Sequence, residues 1–167
     1  MPAMAHKAAS LMAAMAVGAG LTGLLAACSH DSASQSASGR FGLFYNDQGE
    51  MAALAYGAPN SDDVALMFEC AKGTGRVEVT DVAGATAAPR LILASSGSTS
   101  DLAASEVSAD GPDLLVARTD ISAPALQAFR RSGKMKVAYG ATSYTLAASN
   151  AERQGVERFF KACAARA

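Results

Sequence analysis

"DVALMFECAKGTGRVEVT", residues 63–80, decides the fold. Val64, Leu66, Phe68 and Cys70 fall on one face of an extended chain, and Ala65, Met67 and Glu69 fall on the other. The same period of two resumes in "RVEVT", where Val77 and Val79 share the inner face. Two alternating runs joined by the short glycine-containing "AKGTG" predict an antiparallel β-hairpin. Outward from it, weaker versions of the pattern recur in "FGLFY" before the turn "NDQG", and in "MAALAYG", "RLILA", "DLLVAR", "KMKVAYG" and "SYTLAA". Eight short strands separated by polar turns predict a small antiparallel β-sandwich or barrel.

Two stretches follow a helical period instead. In "SAPALQAFRRSG", Ser122 is a candidate N-cap and Pro124 lies in the first turn, with Leu126 and Phe129 three apart. Arg130 and Arg131 close the stretch, and Gly133 stands just beyond. In "SNAERQGVERFFKACAA", Ser149 and Glu152 have capping-box spacing, while Val156, Phe159, Phe160 and Cys163 recur at i, i+3, i+4 and i+7. That apolar face must lie on the sheet, and Gly155 is expected to weaken the first turns. The expected fold is therefore mostly β, with one short helix between late strands and a longer C-terminal helix packed on the sheet.

The first forty residues have a different character. Residues 1–10 carry Lys7, residues 11–27 carry no charge, and small residues precede Cys28. This is the plan of a secretory signal, and Gly18, Gly20 and Gly23 argue against an uncleaved spanning helix. Leu25-Ala26-Ala27-Cys28 resembles the lipobox of bacterial lipoproteins, in which the signal is removed and the cysteine is acylated. The resemblance implies that Cys28 is a lipid anchor. With Ser29 rather than Asp after it, it also implies the outer membrane, facing the periplasm. Each acyl chain contributes about 0.8 kcal/mol per buried methylene, so two or more chains anchor firmly. Residues 29–40, "SHDSASQSASGR", have no large apolar side chain and read as a flexible tether reaching roughly 20 Å. The expected organisation is a signal over 1–27, a lipidated cysteine and tether over 28–40, and one domain over 41–167.

Setting Cys28 aside leaves Cys70 and Cys163, an even pair on the apolar faces of a strand and of the last helix. In an oxidising compartment a disulfide between them is expected, with two separately buried thiols as the alternative. The helix ending "AFRRSG" that leads into a strand in "ALQAFRRSGKMKVAYG", with the terminal "FFKAC", resembles small secreted proteins of the invasion-associated locus B type.

The composition excludes several chemistries. Fourteen basic residues balance fifteen acidic ones, so nucleic acid is not an expected partner. Histidine occurs only at His6 and His30, which removes histidine-based nucleophiles, bases and zinc sites from the domain. Gly73-Thr74-Gly75 lacks the rest of a nucleotide loop and reads as a turn. Arg130, Arg131, Lys134 and Lys136 read as a helix terminus and a solvated edge strand. Asn60, Ser61, Asp62 and Asp63 gather oxygen ligands in one loop. They are also ordinary turn formers, and no metal, cofactor or catalytic residue is assigned. The expected function is a non-enzymatic envelope module, held to outer-membrane lipid through Cys28 and meeting an envelope protein or glycan. The alternative is a carboxylate-dependent enzyme such as a glycosidase, using two of Glu50, Asp62, Asp63 and Asp120.

Overall fold

The hairpin at residues 63–80 forms as its alternation requires. Strands β3 (Val64–Ala71) and β4 (Arg76–Val82) pair antiparallel, with Phe68 opposite Val79 and Glu69 opposite Glu78. Leu66, Phe68, Cys70, Val77 and Val79 are all buried. The computed structural model describes residues 41–82, 90–107 and 113–165. The expected signal, Cys28, His6, His30 and the tether lie outside them.

Around the hairpin stand β1 (Gly42–Gln48), β2 (Met51–Gly57), β5 (Arg90–Ser95), β6 (Ser98–Val107), β7 (Leu114–Asp120), β8 (Lys134–Tyr139) and β9 (Thr142–Ala147). Among the described residues, these nine strands join one antiparallel sheet in the order β1-β2-β3-β4-β7-β6-β5-β8-β9. The sheet curls until β9 approaches β1, giving a nearly closed barrel. Among the described residues no helix is long and apolar enough to cross a membrane.

The ninth strand, β6, is absent from the sequence reading. Its segment "STSDLAASEV" carries few large apolar residues, so its alternation rests on Ser100, Leu102 and Ala104 facing inward. Ser100 explains why a serine stands there. Its Oγ accepts a hydrogen bond from the backbone N–H of Ala125, 3.2 Å away, at the start of α1 (Pro124–Ser132). The first turn of α1 is thus capped from a neighbouring strand and not by Ser122, which is exposed, while Ala123 occupies the N-cap position. At the other end Gly133 closes the helix in the left-handed region at φ 69°, its N–H bonded to the Phe129 carbonyl. The following β8 is an interior strand between β5 and β9, not the edge strand expected for Lys134 and Lys136.

Helix α2 (Arg153–Cys163) buries Val156, Phe159, Phe160 and Cys163. Phe68 lies between the two helices, its ring 6.3 Å from that of Phe129 and 6.4 Å from that of Phe159. Gly155 has a packing role: a Cβ there would stand 3.2 Å from the Cβ of Tyr45, so the glycine lets α2 settle onto β1. Ser149 and Glu152 form the expected reciprocal pair just before α2. The Ser149 N–H donates to Glu152 Oε2 at 2.6 Å and the Glu152 N–H to Ser149 Oγ at 3.4 Å. Glu152 does more than cap, because its Oε1 also accepts the N–H of Leu43, 3.0 Å away on β1. Burial opposes its charge, yet the bonds from Ser149 and Leu43 outweigh burial and hold the carboxyl below its ordinary value. Replacing Glu152 with Ala is expected to cost about 2 kcal/mol in urea unfolding, since charge-assisted bonds to two elements are lost together. An unchanged midpoint would make the carboxylate a bystander.

The last turn of α2 is fastened to the β3–β4 turn. Cys163 and Cys70 form a disulfide with Cα atoms 5.7 Å apart across a sequence separation of 93, which is the expected bridge. Beside it, the N–H groups of Gly73 and Gly75 donate to the carbonyls of Ala162 and Cys163 at 2.9 and 2.8 Å. Carbonyls that a helix terminus leaves without intrahelical partners are thereby satisfied. Both glycines have positive φ, 77° and 74°, which aims their N–H groups at the helix. The Gly75 carbonyl in turn accepts the N–H of Ile121, on the segment that leads into α1.

Candidate functional site

The inward series of β4 continues past Val77 and Val79 to Asp81, so the sheet's own alternation carries a carboxylate into the interior. Asp81 is 1% exposed, flanked by Leu66 of β3 and Leu115 of β7. One oxygen, Oδ2, accepts a hydrogen bond from the Tyr144 hydroxyl of β9, and the other, Oδ1, is buried without a partner. Burial pushes the Asp81 carboxyl up to about 6, against the lowering effect of the Tyr144 bond.

Aromatic rings surround it. Tyr144 stacks on Tyr56, with centroids 6.3 Å apart and planes 7° apart, and Tyr56 meets Phe41 edge-on at 5.6 Å. Burial and the neighbouring charge of Asp81 raise the phenols of Tyr144 and Tyr139, while burial and Glu152 raise that of Tyr56. By strand direction and register, these groups occupy the end of the sheet opposite the β3–β4 turn and the disulfide. The cluster presents one carboxyl able to change charge near neutral pH, with an unused oxygen, inside a ring of phenols. Charged, it accepts a hydrogen bond or faces a cation; neutral, it donates. The sequence reading passed over Asp81, although the inward parity of Val77 and Val79 predicts its direction and that of Met135, Val137 and Tyr139 predicts the tyrosine's.

The residues singled out from sequence are elsewhere. Asn60, Ser61, Asp62 and Asp63 are exposed in the β2–β3 loop, where Asn60 adopts φ 56°. Ser61 Oγ serves the turn itself, donating to the Ala58 carbonyl at 3.3 Å and accepting the Asp63 N–H at 3.1 Å. Among the described residues no three His, Cys, Asp or Glu side chains gather in a metal-holding group. Glu50 lies exposed before β2, and Asp62 and Asp63 beyond its far end, so seven strand residues, about 20 Å, separate them. No pair drawn from both ends can face across one cleft.

Asp120 lines a groove of about 590 Å³ on the outer face of β3, β4 and β7. Register places Arg76 opposite Asp120, and Glu69, Glu78 and Arg118 side by side on neighbouring strands. Arg118 and Glu78 form an ion pair at 2.7 Å, exposed enough to contribute about 1 kcal/mol or less. Of the helix-terminal cations, Arg130 is engaged through its side chain. Arg130 pairs with Glu157 at 2.7 Å and lies over the Phe160 ring, and the Arg131 carbonyl accepts a hydrogen bond from Arg153. Comparison of the chain with protein-family models, curated proteins and solved structures finds no match.

Proposed function

We propose that this protein is a lipid-anchored envelope protein whose β-rich domain acts as a non-enzymatic binding module on the periplasmic face of the outer membrane. One observation carries the reading. The Cys70–Cys163 disulfide ties the sheet to the last helix of a domain with no other cysteine, and such bridges persist in exported proteins. Export is what the uncharged run before Cys28 would provide, and the lipobox-like Leu25-Ala26-Ala27-Cys28 would retain the product at a membrane. The likeness to secreted proteins of the invasion-associated locus B type fits the same address.

Within such a module, the Asp81–tyrosine end is the face for a small ligand that carries a hydrogen-bond donor or a positive charge. The phenols suit both, with the buried Asp81 carboxylate adding negative potential behind them. A glycosidase would set two carboxyls against each other, whereas the partners of Asp81 in this cluster are phenols.

The anchor is tested directly by growing cells with a fatty-acid analogue. Labelling of the wild-type chain and none of the Cys28→Ala chain is expected, with the variant left unprocessed or released from the membrane fraction. A labelled Cys28→Ala protein would remove the anchor from this reading.

A further inference from the structure

Charge is unevenly divided between the helices and the sheet. The two helices carry five cations, Arg130, Arg131, Arg153, Arg158 and Lys161, against the single acid Glu157. Arg130 already pairs with that acid at 2.7 Å. Arg153 and Lys161 flank the same carboxylate from one turn before and one turn after it, and both help to hold its proton affinity down, behind the larger effect of Arg130. Arg158 stands over the Tyr45 ring, 5.0 Å from its centroid, with its charge still exposed. One stripe along the outer side of α2 thus has a surplus of positive charge. A recess of about 550 Å³ runs along it, lined by Arg153, Gln154, Glu157, Arg158 and Lys161.

The position of this stripe is as informative as its charge. Phe41 and Leu43, where the described chain begins, lie beside the first turn of α2, and Glu152 fixes that contact through the Leu43 N–H. Whatever precedes Phe41 therefore joins the domain next to the cationic helix. Were residues 29–40 the flexible tether that their composition implies, a reach of roughly 20 Å would keep the stripe near any surface that holds Cys28.

We infer that the outer side of α2 docks on a bilayer surface bearing anionic phosphate head groups, with Arg153, Arg158 and Lys161 as the contacts; this rests on the lipid-anchored reading. Each cation near such a surface is worth about 1 kcal/mol, and the attraction falls off within a Debye length. Three of them alone give weak, salt-sensitive attachment. They suffice to orient a domain that a lipid already holds close.

The full chain, as cells process it, tests this in vesicles of zwitterionic lipid alone and of zwitterionic lipid with one-third anionic phospholipid. Lysines are acetylated briefly with a water-soluble ester, and the reactivity of Lys161 is compared by mass spectrometry with that of Lys136, which is exposed on β8. Docking is expected to lower the Lys161 to Lys136 ratio at least threefold on anionic vesicles only. High salt should restore it, and Arg158→Glu with Arg153→Glu should abolish the protection. Those two side chains also touch Tyr45 and Arg131, so Gln154→Glu, a charge added at an exposed neighbour, serves as a milder second variant and should weaken protection partially. Attachment to both vesicles with an unchanged ratio would overturn the docking and leave the anchor standing. Attachment to anionic vesicles alone, reversed by salt, would overturn the anchor and keep the docking. A chain that attaches to neither overturns both, and protection that follows added envelope protein instead of lipid charge overturns the docking.

Discussion

Reduction of the folded domain is expected to lower its thermal midpoint by roughly 16–20 °C. The Cys70–Cys163 bridge closes a loop with a sequence separation of 93, for which chain entropy gives about 4–5 kcal/mol, and a domain of this size loses about 4 °C per kcal/mol. The measurement uses the chain from Ser36 onward, which removes Cys28 from the thiol count. Unfolded without reductant, it should show no reactive thiol; after reduction, it should show two. A double Cys70→Ser, Cys163→Ser variant should match the reduced protein, while either single variant should leave a thiol that forms dimers. The loss should be concentrated at α2. Without the bridge, the fastening of its last turn falls to the Gly73 and Gly75 bonds and to the packing of Phe159 and Phe160. Two free thiols in the oxidised, unfolded chain would refute the pairing.

A second substitution should make the protein more stable. Asp81 holds its proton to about pH 6 in the fold, against an ordinary carboxyl value of 3.8. As pH rises from about 4 to 6, the unfolded chain therefore releases a proton that the native state keeps, and stability falls through that window. The difference amounts to about 3 kcal/mol, and above pH 6 it stays constant. Asp81→Asn keeps the shape and an acceptor for the Tyr144 hydroxyl but cannot ionise. It should unfold with the wild type near pH 3.5 and exceed it by about 2–3 kcal/mol at pH 7.5. Glu152 titrates in the opposite sense: its stabilisation, present at neutral pH, is lost as pH falls through its lowered value. Because Glu152 is common to both proteins, the difference between their urea curves isolates Asp81. Parallel curves from pH 4 to pH 7.5 would show that this carboxyl is not buried as described. A gain in stability with a loss of ligand capture would be the mark of a group kept for function.

Most of the fold follows from local chemistry. The period-two runs mark eight of the nine strands, and the i, i+3, i+4, i+7 run marks α2, because large apolar side chains report their own direction. β6 escaped because its inward positions include Ser100 and Ala104, whose value lies in contacts made across the fold: Ser100 caps a helix twenty-five residues away. The same limit applies to Ser122, which has cap chemistry at cap spacing but is outcompeted by that strand serine. Strand order was not legible either. The pairing of β4 with β7 and of β5 with β8 depends on how the halves of the sheet meet, which no local pattern encodes. The candidate site was half legible. Carboxylates gathered in a loop drew attention to Asp62 and Asp63, where turn formation accounts for the residues, while Asp81 stood alone among valines. A lone acid at an inward position of a buried strand is the stronger signal, since burying it costs several kcal/mol that a turn aspartate never meets.

The contact between Glu152 and Leu43 joins residues 109 apart, and the helix that Glu152 introduces fills the space against the first two strands. Until the ribosome has delivered residue 163, β1 and β2 lack the apolar surface they are shaped to meet, and Cys70 lacks its partner. Nascent chain of any shorter length exposes the inner faces of a partly built sheet, with slow, long-range pairing still ahead of it. On the exported reading proposed above, in which the chain would be threaded through a membrane in extended form, that delay would be useful. Helix α2 follows every described strand in the chain, so on that reading stable structure would form only after translocation, where the bridge could be oxidised.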